Sequence, residues 1–225
     1  MRCKFTVAAM IAICASYTSA KAQGIFTDKK NIYTESYFST GYYLLKDSSI
    51  RKGLIKYTFD TPDRFRFRED VNSKAITITA EDCIGFYEDG DQALFTVLDN
   101  VKLPTKSLVN KTAGKCFAEI RIQGDLNLYV VYFQQAKPLF GDVTDFSASL
   151  DASQNRNTKR LPASTFVLSK KGVPGHLVVP AKNKNFRADL SEYLADKPSV
   201  VQFINGSQLT KDNIDVIVQS YNTSK

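Results

Sequence analysis

The pattern of apolar and polar positions is clearest at Arg64-Phe65-Arg66-Phe67-Arg68, which alternates without a break. Period-two alternation predicts a strand with one apolar and one basic face. Ala75 to Ala80 alternates in the same way, with Ile76 and Ile78 inward and Thr77 and Thr79 outward. Ile84 to Tyr87 continues after a kink, Glu88 to Asp91 reads as a turn, and Ala93 to Leu98 as a further strand. Upstream, Tyr42-Tyr43-Leu44-Leu45 runs into the turn-like Lys46-Asp47-Ser48-Ser49 and returns from Ile50 to Tyr57. That predicts a hairpin, with Gly53 placed for a bulge. A second hairpin spans Cys116 to Phe133. Ala118, Ile120 and Ile122 alternate with polar residues, Gly124-Asp125 reads as a glycine-first two-residue turn, and Leu126, Leu128, Val130 and Tyr132 return. Val130 to Phe133 is apolar on both faces, as expected of a central strand.

The pattern lapses over residues 141–164, where Ser, Asp, Asn and Gln leave little to bury, and predicts an exposed loop. Thr165 to Leu168 resumes as a strand, followed by a turn at Gly172 to Gly175 and a strand from His176 to Val179. The period then changes. Leu190, Tyr193 and Leu194 share a helical face. Asp196 is placed to cap a second short helix with Pro198 in its first turn, and Asn205-Gly206 to stop it. Thr210 is placed to cap a third, with Ile214, Ile217, Val218 and Tyr221 as its apolar stripe. Helices this short need docking to be stable. The expected fold class is therefore α+β: an antiparallel β-sheet or partly open barrel followed by short C-terminal helices. The β-rich region spans 23–180, its first residues 23–36 a loose polar lead-in, and the helical segment 181–225 packs on the same domain.

The first 22 residues change the picture. Arg2 and Lys4 precede an apolar run from Phe5 to Ala15, and Ala20-Lys21-Ala22 is a small-x-small cleavage site. This is the layout of a secretory signal peptide, with a run too short to span a bilayer and a mature chain starting at Gln23. A lipid anchor at Cys14 is disfavoured because Ile13 precedes it. Removing 22 of 225 residues leaves 203, enough for one large domain, and takes Arg2, Lys4 and Lys21 from a net charge of +7, leaving +4. That charge is too small to argue nucleic-acid binding. No later apolar run is long enough for a transmembrane helix.

Candidate chemistry is sparse. Cys83 and Cys116 remain after the leader is removed and, in an oxidising compartment, could form a disulfide. Cys116 continues the apolar face of Ala118, but Cys83 is out of phase with Ile84 and Phe86, so pairing and two separate thiols both stay open. His176, the only histidine, has no Gly-x-Ser-x-Gly signature beside it. Nothing implies a metal or another cofactor. Glu81-Asp82 and Glu88-Asp89-Gly90-Asp91 are acidic turns whose carboxyls would need to meet across a cleft to cleave glycosidic bonds. Arg64, Arg66 and Arg68, with Lys56 on the neighbouring strand, form a basic stripe that could meet an anionic polymer or simply discourage edge pairing. The aromatics, Phe38, Tyr42, Phe65 and Phe86 among them, read as core rather than as a sugar platform. Asn110, Asn205 and Asn222 lie in Asn-x-Ser/Thr sequences, which carry little meaning for a bacterial exported chain.

Several phrases resemble those of a group of exported β-rich proteins of Gram-negative bacteria. These are the Lys-Asp turn and Lys-Gly strand within Lys46 to Ile55, Ala80-Glu81-Asp82-Cys83-Ile84-Gly85-Phe86, the hairpin Ile122 to Tyr132, and the tail Phe186 to Asn222. Ser48 departs from that group, which usually has glycine after the turn aspartate. The resemblance implies an envelope location and an α+β layout, with no activity and no catalytic residue to carry over. The combined expectation is an exported, non-enzymatic periplasmic or cell-envelope protein binding a protein partner or an anionic surface glycan. The alternative is a carboxylate-dependent hydrolase acting on envelope polymers.

Overall fold

A computed structural model describes residues 37–58, 61–103, 112–135, 161–180 and 183–224. The leader, the lead-in over 23–36 and most of the expected 141–164 loop lie outside these residues. Among the described residues ten strands form one antiparallel sheet: β1 (Ser39–Leu45), β2 (Ile50–Tyr57), β3 (Arg64–Arg68), β4 (Ile76–Thr79), β5 (Cys83–Glu88), β6 (Ala93–Lys102), β7 (Thr112–Ile122), β8 (Leu126–Gln135), β9 (Leu161–Lys170) and β10 (Leu177–Val178). Three helices follow: α1 (Asn183–Tyr193), α2 (Pro198–Gly206) and α3 (Ile214–Thr223). β9 begins at Leu161, four residues earlier than the expected strand at Thr165.

The strand order is β10-β9-β8-β7-β6-β5-β1-β2-β3-β4, so the sheet is open, with β10 and β4 at its edges. It is a meander except at one place: β5 returns to pair with the free side of β1. Only Ala80 to Asp82 separate β4 from β5, although three strands lie between them in the sheet. So short a link requires strong curling, and the inner face shows it. Phe65 of β3 and Phe117 of β7 meet with ring centroids 5.4 Å apart, and the Phe117 N–H donates to the Pro62 carbonyl at 2.7 Å.

Curling creates the first core. Tyr43, Ile55, Tyr57, Phe65, Phe67, Ile78, Phe86, Phe95 and Phe117 pack inside the bend. Gly53 is not a bulge; it pairs regularly with Gly41. A Cβ at Gly53 would lie 2.6 Å from the Phe67 ring, so glycine here makes room for the aromatic core. Ile76, expected inward, is 51% exposed because β4 is an edge strand, whereas Ile78 is buried. A second core joins Leu126, Leu128 and Leu168 of β8 and β9 to Phe186 and Leu190 of α1, Leu194 just after it, Val200 and Ile204 of α2, and Ile214, Ile217, Val218 and Tyr221 of α3.

The helix ends differ in part from expectation. Thr210 does cap, but it caps a 3-10 turn (Lys211–Asn213) leading into α3, in a reciprocal arrangement with Asn213. Asp196 does not cap α2, whose N-cap is Lys197 without a side-chain bond. Its carboxylate instead accepts from Lys170 of β9 and the Tyr221 hydroxyl of α3. Burial opposes ionisation of Asp196, yet these two bonds hold its carboxyl below the ordinary carboxylate range.

Gly124 does not adopt the positive φ that a glycine-first turn would require. It is needed because a Cβ there would lie 2.5 Å from the side chain of Asn222. Asn222 Oδ1 accepts from the Leu126 N–H at 2.8 Å, and Nδ2 donates to the Leu126 carbonyl at 2.9 Å. The last helix thereby clamps the β7–β8 turn.

Cys83 and Cys116 are separate buried thiols, one of the two arrangements that the sequence left open. A register shift between Leu44 and Leu45 and the turn at Thr79–Asp82 bring Cys83 into the first core despite its phase. Cys116 packs in a third cluster with Val101, Ala118 and Val131, on the opposite face of β7 from Phe117. β6 also lies between the two strands, and two inter-strand spacings of about 4.8 Å exceed the reach of a disulfide. Burial pushes each thiol up to about 12. In a chain lacking residues 1–22, neither should react with a thiol reagent at neutral pH until the protein is denatured, when two thiols should titrate. One fast-reacting thiol in the native protein would contradict this packing.

Candidate binding face

The outer face of the curled half is built by the same alternation that builds its core. With Tyr43, Ile55, Phe65 and Phe67 inside, the even-numbered positions of β1, β2 and β3 stand outside. Register arranges them in cross-strand rows. One row is Tyr87–Tyr42–Lys52, the next Thr40–Leu54–Arg68, and beyond it Lys56–Arg66–Thr77.

Tyr42 and Lys52 of the first row and Thr40 and Leu54 of the second floor an open groove of about 650 Å³. Tyr42, Lys52 and Leu54 line it from the sheet, Glu69 and Asp70 from the β3–β4 loop, and Asp89 from the β5–β6 turn. The Asp89 N–H donates to the Thr40 carbonyl at 2.9 Å, which seats that turn against β1. The Asp70 carboxylate accepts from the Asn72 and Ser73 N–H groups at 2.8 and 2.9 Å, fixing the loop. Its contacts with Ser73 and then Asn72 hold its carboxyl below the ordinary range. Tyr42 stacks on Tyr87 with centroids 5.4 Å apart and planes 28° from parallel, so the two rings brace each other beside the groove. This corrects the reading of Tyr42 as a core residue: it and Tyr87 are half-buried on the outer face.

The basic stripe divides. Arg64 is bound to Asp63 at 2.7 Å. The Arg68 guanidinium lies 4.2 Å from the centre of the Phe38 ring and donates to the Val71 carbonyl at 3.2 Å. Arg66 is exposed, and Lys56 stands directly across from it on β2. Neither Lys56 nor Arg66 has an acidic partner among the described residues. Like charges placed directly opposite on neighbouring strands repel.

Of the acidic residues singled out in the sequence, Asp89 lines the groove, whereas Glu81, Asp82 and Glu88 go elsewhere. Glu81 bonds Lys115 at 2.6 Å, and Asp82 accepts from the Thr79 N–H at 2.8 Å and the Thr79 hydroxyl at 2.6 Å. Glu88 faces inward and accepts from the Ser39 hydroxyl; burial raises its carboxyl above the ordinary range. His176 is half-buried just before β10. Among the described residues no group of three or more His, Cys, Asp or Glu side chains is set to hold a metal, and no helix is long and apolar enough to cross a membrane.

One buried polar cluster escaped sequence reasoning. Glu119 of β7 is 3% exposed; its carboxylate accepts from the Tyr132 hydroxyl at 2.5 Å and lies 3.1 Å from Arg121 Nε. Arg121 also donates to the Tyr132 hydroxyl at 3.0 Å. This triad ties β7 to β8. The nearby Tyr57 hydroxyl, buried and raised well above its usual value mainly by desolvation, has no hydrogen-bond partner among the described residues. Glu69 and Asp70 were missed as companions of Asp89 because the β3–β4 loop and the β5–β6 turn meet only in the folded sheet. The local signals were the acidic turn Glu88-Asp89-Gly90-Asp91 and the mostly polar run Glu69-Asp70-Val71-Asn72-Ser73.

Comparison with known proteins found no matching family model, no matching curated protein and no matching solved structure.

Proposed function

We propose that this is an exported periplasmic or cell-surface protein whose groove on the outer face of β1 and β2 binds a glycan, without catalysis. The observation that carries the reading is the groove itself. Tyr42, braced by Tyr87, lines the groove with apolar ring area of the kind that packs on a sugar, and Glu69, Asp89 and Lys52 around it can accept from or donate to hydroxyls. Export is supported by the basic start, short apolar run and Ala20-Lys21-Ala22 site of the leader. The hydrolase alternative is less supported, since Glu81 and Asp82 are bound to Lys115 and Thr79.

The test has two parts. Chain expressed with its own leader should be recovered from the envelope fraction beginning at Gln23. A chain that keeps Met1 and stays in the cytosol would defeat the export reading. Mature protein on an array of bacterial-type oligosaccharides should retain a subset, and Tyr42→Ala should weaken that binding about tenfold or more through lost apolar contact. Binding that ignores Tyr42→Ala would place the site elsewhere.

A further inference from the structure

We infer that the glycan is acidic, with an anionic group seated between Lys56 and Arg66. This rests on the glycan reading of the groove and adds its charge and polarity. Three observations converge. The groove and the basic pair share one sheet face, with only the Leu54–Arg68 row between the Lys52 row and the Lys56 row. Four residues of strand rise separate Lys52 from Lys56, roughly 13 Å, so a chain of a few sugars lying along β2 reaches both. The other cations of the stripe are engaged, Arg64 by Asp63 and Arg68 by Phe38 and Val71. Lys56 and Arg66 face each other with no carboxylate between them among the described residues.

A carboxylate or phosphate placed there removes the repulsion between the two cations and accepts charge-assisted hydrogen bonds from both, Arg66 in a bidentate manner. The acidic rim formed by Glu69, Asp70 and Asp89 disfavours an anion at the groove end. The ligand is therefore oriented, with a neutral, hydroxyl-rich sugar over Tyr42 and the charged unit toward Arg66. Lys52 sits in the groove row and does not substitute for the pair.

The test uses the mature chain, its Lys56→Gln/Arg66→Gln variant and the Tyr42→Ala variant on one array. The array carries uronate-bearing, phosphate-bearing and neutral oligosaccharides, including the methyl esters of the uronates. Acidic members should bind, their methyl esters about tenfold or more weakly, and the double variant should lose a similar factor for acidic members alone. Added salt should weaken wild-type binding more than double-variant binding. Whether uronate or phosphate members are retained identifies the source of the charge. Equal binding of acids and esters, unaffected by the double variant but lost in Tyr42→Ala, would overturn the acidic inference and leave the groove reading intact. No retained oligosaccharide of either kind would overturn both. Circular dichroism of each variant should match wild type, since Lys56 and Arg66 lie on the outer face.

Discussion

Phe86→Ala is expected to destabilise the protein by about 3–5 kcal/mol, the cost of emptying a buried phenyl site. Phe86 has no exposed surface and is the ring on which the first core converges. It stacks on Phe95 at 4.4 Å and 12°, meets Phe65 at 4.6 Å and Tyr57 at 5.3 Å, and stands edge-on to Phe117 at 5.0 Å. These rings come from β2, β3, β5, β6 and β7, so the loss would loosen the whole curl rather than one pair of strands. Such a loss is at least about a fifth of the stability of a typical domain. Urea unfolding read at equilibrium would show it as a lower midpoint at similar slope. A change below about 1 kcal/mol would mean that the aromatic rings do not hold the sheet in its curled form.

Asn222→Ala should cost about 2–4 kcal/mol, because it leaves the buried Leu126 N–H and carbonyl without their partner. The site offers a sharper test through coupling. Gly124→Ala alone should also destabilise, since its new methyl group would meet the Asn222 amide at 2.5 Å. Once Asn222 has been shortened, the same methyl group has room, so Gly124→Ala should cost much less in the Asn222→Ala background. Equal costs in both backgrounds would show that the clamp between α3 and the β7–β8 turn is absent. Either single change should release α3 from β8 before the curled half unfolds, because the two cores are distinct. Hydrogen exchange in Ile214–Thr223 would report that release.

Much of the fold was legible because strand and helix periods are local properties. Arg64 to Arg68 alternates, and its two phenylalanines are buried as the alternation requires. The stripe Ile214, Ile217, Val218 and Tyr221 is buried as a unit. The same local logic failed where a partner comes from far along the chain. Asp196, placed one residue before a helix N-cap, is spent on Lys170 and Tyr221. Gly124 looked like a turn glycine, and its requirement comes from a residue 98 positions later.

The candidate site was less legible than the fold. The arginine stripe was visible, but not that Asp63 and Phe38 would occupy two of its members. Tyr42 and Tyr43 are adjacent aromatics of equal hydrophobicity. Only pairing β5 beside β1 puts Tyr43 into the core and Tyr42 against Tyr87 on the groove.

The sequence by itself determined which residues form strands and helices, which side of each strand is apolar, and the leader-like character of the first 22 residues. Those features depend on neighbours within a turn or two of the chain. Tertiary structure alone decided the strand order, the curl that makes an aromatic core, the separation of Cys83 from Cys116, and the groove with its neighbouring basic pair. Each depends on β5 returning to β1 across a three-residue link, a choice that balances buried area in the whole curled sheet against the entropy of closing it. No local period encodes that balance.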